Sequence, residues 1–468
     1  MHWFSLHGLF TVAGLLVYVV ASHVLRQRRH PSAAIGWVLL ILLLPYVGLP
    51  LYLLFGTRKL TRTGRPSLAA GTARPIDDEG SWLVQTAVAV GQPRPTTYRS
   101  LNIHADGSES LRALLALIDG AQHSLDLCTF ILGRDPVGAA VSAHLIAQAR
   151  AGLRVRLLLD GVGRMMSGWP DLSALMHAGV RVGLFGSPLR SSPIGRTNLR
   201  NHRKFVVADA GHGAERLWCG GRNLAAEYFE GQRGRAAWRD LSFDLQGPLA
   251  RQAADLFQRD WEFAAGAEAP TTGASAAVAN AKAAPVAAPG ESAGQVIASG
   301  PDQADDTVHA LLVSAAYRAR TRMMLVSPYV VLDDASLMAL AMAARRGVQV
   351  DLLLPERSNH RLADIARHRS LRALATAGVR VWLAPNMLHA KAVVMDDMLA
   401  LVGSANLDSR SLFLNYELMV AFHDAGDIAR FTAWFDFELG TARPYVAQPP
   451  GLWRDLGEGL VVWIGFQL

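Results

Sequence analysis

The sequence predicts an α/β protein of two similar lobes, each a mixed sheet flanked by helices, preceded by two N-terminal membrane helices. Three observations predict it. Two long apolar runs open the chain, strand and helix patterns alternate after about residue 100, and the second half repeats the first.

The first apolar run is HGLFTVAGLLVYVVASHVL (7–25), and the second is AAIGWVLLILLLPYVGLPLYLLF (33–55). A hydrocarbon core of about 30 Å takes roughly 20 apolar residues in a helix, so each is expected to span it. No small-residue cleavage site follows the first run, which argues against a removed signal. Pro45, Gly48 and Pro50 predict a kink in the second run, or a return to the side it entered from. Arg26, Arg28 and Arg29 lie between the runs, and Arg58, Lys59, Arg62 and Arg65 follow them. So even a split sets no orientation. Residues 1–60 are read as an anchor and 61–99 as a connector.

The first lobe is read over 100–263. SLDLCTFIL (124–132) has the continuous apolar character of a buried strand. AAVSAHLIAQARAG reads as a helix closed by Gly152, LRVRLLLD as a strand, LSALMHAG as a short helix and VRVGLF as a strand. The order returns in the second lobe, 301–468, as TRMMLVSPYVV, SLMALAMAARRG, VQVDLLLP, LRALATAG and VRVWLA. Gly152 and Gly347 are 195 residues apart and Gly179 and Gly378 are 199 apart, a nearly constant offset that marks a duplication. Between the lobes, 264–300 is rich in Ala, Pro, Gly and Thr. It has too little apolar surface to pack, so it is read as a flexible linker.

A formal net charge of +7 suits an anionic partner, either an acidic membrane or nucleic acid. Only two cysteines, Cys128 and Cys219, occur, so no disulfide framework is expected, which fits a reducing compartment.

The chemistry is carried by NHRKFVVAD (201–209) and LHAKAVVMD (388–396), whose histidines lie 187 residues apart. In extended chain, alternate side chains share a face. His202 and Lys204 therefore point together, as do His389 and Lys391, each pair forming a cationic pocket for a phosphate. Asp209 and Asp396 lie five residues past their lysines, an odd number. Parity turns them away from that pocket, as structural or supporting groups before direct participants. A Gly-rich loop follows each motif, GGRN with Asn223 and GSAN with Ser404 and Asn406, and offers close backbone approach and neutral donors to phosphate oxygens. An acid comes next in each lobe, Asp240 and Glu417, of the kind that fixes a histidine tautomer. A lysine on the histidine's own face would repel a metal cation, so no metal site is expected.

This composite resembles the paired HKD motifs of the phospholipase D superfamily. LLPYVGLPLYLLFGTRK, GGRNLAAEYF, WRDLSFDLQGP, SPYVVLDDASLMALAMAARRGVQVDLLLP and LVGSANLDSRSLFLNYE narrow the resemblance to bacterial cardiolipin synthases, over essentially the whole chain. The resemblance implies two phospholipase D-like lobes sharing one active site. His202, Lys204, Asp209, His389, Lys391 and Asp396 form the catalytic set. Asn223, Ser404 and Asn406 bind phosphate, and Asp240 and Glu417 orient the histidines. By analogy His202 is the nucleophile and His389 the acid and base, though the reverse fits the sequence as well. The implied reaction moves a phosphatidyl group between two phosphatidylglycerol molecules, giving cardiolipin and glycerol through a phosphohistidine, with no cofactor. The implied setting is the bacterial cell membrane, multi-pass, with the lobes in the cytoplasm.

Two departures from the family pattern stand out. The gap from Asp209 to its Gly-rich loop is ten residues against six after Asp396, and Asn359 stands where the family suggests an acid. Hydrolysis of phospholipid to phosphatidic acid, or transfer involving phosphatidylethanolamine, fits the same core chemistry. A nuclease fits the charge but not the membrane runs, and no basic, aromatic-interleaved tract for single strands is present. A non-catalytic membrane scaffold is disfavoured by two complete motifs.

Overall fold

The structure, a computed structural model, describes residues 2–24, 31–56, 81–186, 198–232, 234–266 and 291–464. Three apolar helices come first: α1 (His2–Val24), α2 (Pro31–Leu43) and α3 (Pro45–Phe55), packed on one another. The second apolar run is thus not one span. Pro45 has no N–H to extend α2, and its ring suits the first turn of a new helix. Leu44 takes φ −135° and ψ 62°, and α3 folds back along α2. Gly48 permits the close return, because a Cβ there would lie 2.8 Å from the Leu40 carbonyl oxygen and 2.9 Å from Ile41 Cα. At 1.5 Å per residue, the 13 residues of α2 and the 11 of α3 rise only about 20 and 17 Å. Among the described residues no helix is long and apolar enough to cross a membrane. Where one helix was expected over the second run, two short helices pack with α1 as a three-helix unit. Its outward face carries Leu9, Val12 and Leu16, each more than 60% exposed.

The next helix, α4 (Ser81–Ala89), packs on the second lobe, with Trp82, Leu83 and Ala87 in that lobe's core. The first lobe runs β1 (Thr96–Ile103), α5 (Gly107–Asp119), β2 (Ser124–Thr129), α6 (Pro136–Arg150), β3 (Arg154–Asp160), α7 (Gly161–Met166), α8 (Ser173–His177), β4 (Arg181–Phe185), β5 (Phe205–Ala208), β6 (Arg216–Gly220), β7 (Ser242–Gln246) and α9 (Pro248–Ala264). The second runs β8 (Ser292–Ser299), α10 (Thr307–Arg318), β9 (Arg322–Val326), β10 (Val330–Val331), α11 (Asp334–Arg345), β11 (Gln349–Pro355), α12 (Arg361–Thr376), β12 (Arg380–Ala384), β13 (Ala392–Met395), β14 (Leu399–Gly403), β15 (Leu407–Asp408), α13 (Ser409–Phe413), β16 (Glu417–Phe422), α14 (Ala425–Leu439), β17 (Arg443–Pro444) and α15 (Leu452–Ile464). Asp106 and Asp135 cap α5 and α6 by accepting from the Glu109 and Gly138 amides, which fixes where those helices begin.

One 15-stranded sheet crosses both lobes, in the order β17-β12-β11-β9-β13-β14-β16-β8-β1-β7-β6-β5-β2-β3-β4. The antiparallel β1–β8 pair is its seam, in register from Thr96 opposite Gly294 to Tyr98 opposite Ser292. Outward from the seam the order β1-β7-β6-β5-β2-β3-β4 is matched by β8-β16-β14-β13-β9-β11-β12. β2–β3–β4 and β9–β11–β12 are parallel, with antiparallel strands between them and the seam. Of the parallel strands, β2, β3 and β11 are nearly all buried, as their continuous apolar runs require. One apolar core, holding Phe205, Phe243, Phe257, Phe422 and Phe431, runs beneath both lobes, and each lobe adds a further core on the opposite face.

Two boundaries differ from expectation. β8 lies inside the tract read as a linker: its inner residues Val296, Ile297 and Ala298 are buried and pair with β16, although flanking Ser, Gly and Gln dilute their apolar signal. Residues 267–290 of that tract lie outside the described residues. Likewise α4 falls within, and β1 begins within, the stretch read as a connector, of which 61–80 lies outside the described residues.

Candidate active site

His202 and His389 sit on short extended segments that run into β5 and β13. Each segment is held by the other lobe. The His202 amide donates to the Tyr416 carbonyl at 2.9 Å, and the Tyr416 amide donates to the Arg200 carbonyl at 2.8 Å. Symmetrically, the His389 amide donates to the Arg239 carbonyl, and the Arg239 amide donates to the Met387 carbonyl at 2.9 Å. These two parallel bridges carry the acids into place. His202 Nδ1 donates to the Glu417 carboxylate at 2.9 and 3.1 Å, and His389 Nδ1 donates to Asp240 Oδ2 at 2.8 Å. Each histidine is therefore oriented by the acid of the opposite lobe. A carboxylate only accepts, so the proton rests on Nδ1 and Nε2 keeps a lone pair.

The lysines lie beneath the imidazoles. Lys204 and Lys391 are each 1% exposed. Lys204 Nζ donates to the His202 carbonyl at 2.5 Å. Lys391 Nζ donates to the His389 carbonyl and lies 2.6 and 3.0 Å from the two ring nitrogens. Burial depresses every cation here. It takes His202 to about 4 against the pull of Glu417, with Lys204 pushing the same way as burial. Burial and then Lys391 take His389 to about 3. Burial also lowers Lys204 to about 8 and Lys391 to about 7, partly offset by Glu417 and Asp240. Lys391 acts on His202, and Lys204 acts on His389, so the halves form one electrostatic unit. Burial would raise Glu417 and Asp240, but their cationic neighbours outweigh it and hold both carboxyls below their usual range.

The remaining expected residues divide. Asp209 and Asp396 stay out of the cluster, which corrects their place in the catalytic set. Both adopt left-handed φ, 57° and 49°. Asp209 accepts from the amides of Gln122, His123 and Ser124 at 2.7–3.2 Å, and Asp396 accepts from those of Arg320, Thr321 and Arg322 at 2.9–3.0 Å. Each ties the chain entering a core strand to the far end of the motif. Ser404 was expected on phosphate, but its hydroxyl donates to Glu417 Oε2 at 2.5 Å. At the matching place Gly221 has no side chain, and a Cβ there would collide with Asp240. One lobe thus pairs a serine with the longer acid, the other a glycine with the shorter. Asn223 donates to Tyr228 Oη at 2.8 Å and accepts from the Ile131 amide at 3.3 Å, whereas buried Asn406 leaves Oδ1 unpartnered. The extra residues after Asp209 form a turn, and Asn223 keeps its position relative to β6. Asn359 accepts from Tyr329 Oη at 2.5 Å.

Sequence reading missed the aromatic walls. Phe130 meets the His202 ring edge-on at 5.4 Å, and Tyr228 and Trp238 lie 5.0 and 5.6 Å from the His389 ring. Tyr228 is visible in LAAEYF only as an aromatic near the Gly-rich loop. Arg203, between His202 and Lys204, points the other way and is fully buried on Asp260.

The family described as "Cardiolipin synthase, PLD-like domain" matches residues 114–261 and 312–438, and "Phospholipase_D-nuclease N-terminal" matches 14–56. Cardiolipin synthase A of Escherichia coli O157:H7 is 30% identical, over 98% of this chain and 96% of that protein. The same protein from E. coli O1:K1 / APEC is 29% identical over the same shares. Among solved structures, phosphatidylserine synthase of Haemophilus influenzae Rd KW20 shares the fold, with a TM-score of 0.59 at 12% identity, covering 84% of this chain and all of that one.

Proposed function

Because the chain belongs to the cardiolipin synthase family of phospholipase D-like proteins, we propose that it is a phosphatidyltransferase that joins two phosphatidylglycerol molecules into cardiolipin and releases glycerol. The observation that carries the reading is the crossed pairing of His202 with Glu417 and His389 with Asp240, which fixes two imidazoles by Nδ1 and leaves both Nε2 atoms for the chemistry of one cationic pocket.

Two displacements follow. Nε2 of one imidazole attacks the phosphorus of the donor lipid. An N–P bond forms, the P–O bond to glycerol breaks, and the second imidazole, which enters the step as the imidazolium, gives the proton on its Nε2 to the departing oxygen. The primary hydroxyl of the acceptor lipid then gives its proton to that second imidazole and attacks phosphorus. An O–P bond forms, the N–P bond breaks, and the first imidazole is restored. We assign attack to His202, whose side chain is the more exposed at 14% against 5%. His389 takes the proton role, and Asp240 on its Nδ1 favours the imidazolium that the step needs. Lys204 and Lys391 carry the charge that grows on the non-bridging oxygens. Glu417 and Asp240 hold the imidazoles, Ser404 steadies Glu417, and Asn223 braces Tyr228 against His389.

The apolar outward face of α1–α3 supports attachment to the bacterial cell membrane, with the lobes on the cytoplasmic side where their lipid substrates are reached. The test is a product assay: vesicles holding labelled phosphatidylglycerol as sole phospholipid are given the purified protein. Cardiolipin with equimolar glycerol is expected, and is expected to vanish with His202→Ala or His389→Ala. Phosphatidic acid as the only product would make water the acceptor and overturn the transfer reading.

A further inference from the structure

One hydroxyl beside His389 carries a hydrogen that the fold does not use. Tyr228 ends a short helical turn, Ala226–Tyr228, five residues after Asn223 of the first Gly-rich loop. It is 4% exposed. Its ring meets Trp238 at 4.7 Å and His389 at 5.0 Å, both edge-on, and the three rings form one cluster.

The direction of each hydrogen bond at its hydroxyl is fixed. The Ile131 amide can only donate, so the Asn223 atom that meets it at 3.3 Å is the side-chain oxygen. The Asn223 nitrogen therefore faces Tyr228 Oη, at 2.8 Å, and it too can only donate. The phenol oxygen is the acceptor of that bond, and its own hydrogen is left over. The titratable groups that act on the phenol are Tyr329, Glu227 and Asp240. Among the described residues neither these nor any other group accepts from it: Asp240 takes the Leu241 amide on Oδ1 and His389 on Oδ2. A buried hydroxyl donor without an acceptor is costly unless a ligand supplies one. Burial holds the phenol well above its ordinary range, so the hydrogen stays in place wherever the lysines are charged.

The second lobe has no such group. Five residues after Asn406 stands Ser411, whose amide donates to Asp408 Oδ1 at 2.7 Å. The ring against His202 is Phe130, which has no hydroxyl to give. The phenol thus serves the His389 side alone.

We propose that Tyr228 is a catalytic residue, whose hydroxyl donates to a non-bridging oxygen of the reacting phosphate on the His389 side. This role rests on the reading above for the phosphodiester that the histidines attack, and not for the alcohol that accepts it. As phosphorus becomes five-coordinate, negative charge grows on that oxygen and the hydrogen bond strengthens. The bonds form a chain, from Ile131 N–H to Asn223 Oδ1, from Asn223 N–H to Tyr228 Oη, and from Tyr228 O–H to phosphate, and each polarises the next. The hydrogen stays on Oη throughout. The lysines bring charge to the phosphate, and the phenol adds a direction.

The test uses the full chain in vesicles and follows release of labelled glycerol from phosphatidylglycerol, which reads the first displacement whatever the acceptor. Tyr228→Phe removes the hydroxyl and keeps the ring. Its kcat is expected to fall about 10²-fold with KM little changed, at an unchanged melting temperature. The assay is then run on phosphatidylglycerol in which sulfur replaces one non-bridging oxygen, with the two stereoisomers at phosphorus taken separately. Sulfur accepts hydrogen bonds poorly, so the unsubstituted protein should react more slowly with the isomer that sets sulfur before the hydroxyl. Tyr228→Phe should narrow that difference. An unchanged kcat would overturn the proposal. So would a lowered kcat with the preference between isomers unchanged, because the hydroxyl would then act through the fold or the His389 ring. Failure of the transferase reading shows separately, as phosphatidic acid in place of cardiolipin, and leaves both readouts on Tyr228 in force. No release of glycerol by the unsubstituted protein would overturn both.

Discussion

At the scale of single residues, the two acids of each lobe do different work, and substitution separates them. Glu417→Gln keeps the shape but removes the charge that fixes the His202 tautomer. The expected result is a loss of kcat of about 10²-fold or more with KM little changed. Asp209→Ala removes an acceptor from three backbone amides, at a cost of roughly 1–3 kcal/mol of stability. Its folded fraction should keep its kcat while the melting temperature falls. The pH profile of kcat/KM follows from the depressed cations. The lysines must be charged to hold phosphate, so activity is present at lower pH and lost as pH rises through about 7 to 8. The attacking imidazole must be neutral, so activity is lost as pH falls through about 4. A basic limb lying instead near the ordinary lysine range would show that the lysines are not the groups that matter.

At the scale of elements, the two Gly-rich loops look interchangeable in sequence and are not in space. Gly221→Ser copies the residue of the second lobe into the first, yet its Cβ would push Asp240 away from His389. A fall in kcat of tenfold or more is expected, with little change in thermal stability, and steady-state kinetics beside a melting curve would read both. How far the sequence speaks is uneven at this scale. The paired His-x-Lys segments and the parallel strands were legible because periodicity is local. That Glu417 serves His202 and Asp240 serves His389 was not legible, since it depends on how the lobes meet at the two parallel bridges. The role of Ser404 was hidden for the same reason: a loop hydroxyl suits phosphate and carboxylate equally well until its neighbour is known. The reversal of chain at Leu44 was half visible, as Pro45 and Gly48 in an apolar run permit either a kink or a return. β8 escaped notice because small and polar residues surround its three buried apolar ones.

At the scale of the molecule, the lobes are joined by the sheet seam between β1 and β8, by the backbone bridges at His202 and His389, by a shared apolar core and by the crossed histidine–carboxylate pairs. None of these junctions depends on the peptide between residues 267 and 290. A protease site placed there and cut should therefore yield two fragments that co-purify and retain most of the uncut activity; separation of the fragments, or loss of turnover on cutting, would show that the connection itself is needed. The crossing also bears on ancestry. A one-lobed forebear with this geometry would keep its acid in reach of a neighbour's histidine and out of reach of its own, so it would work only as a pair of identical chains. Fusing two copies end to end would make that pairing permanent. It would also release the copies from being identical, and the mismatches now seen between Gly221 and Ser404, Asp240 and Glu417, and Met387 and Arg200 are changes that a symmetric pair of one gene product has no means of acquiring.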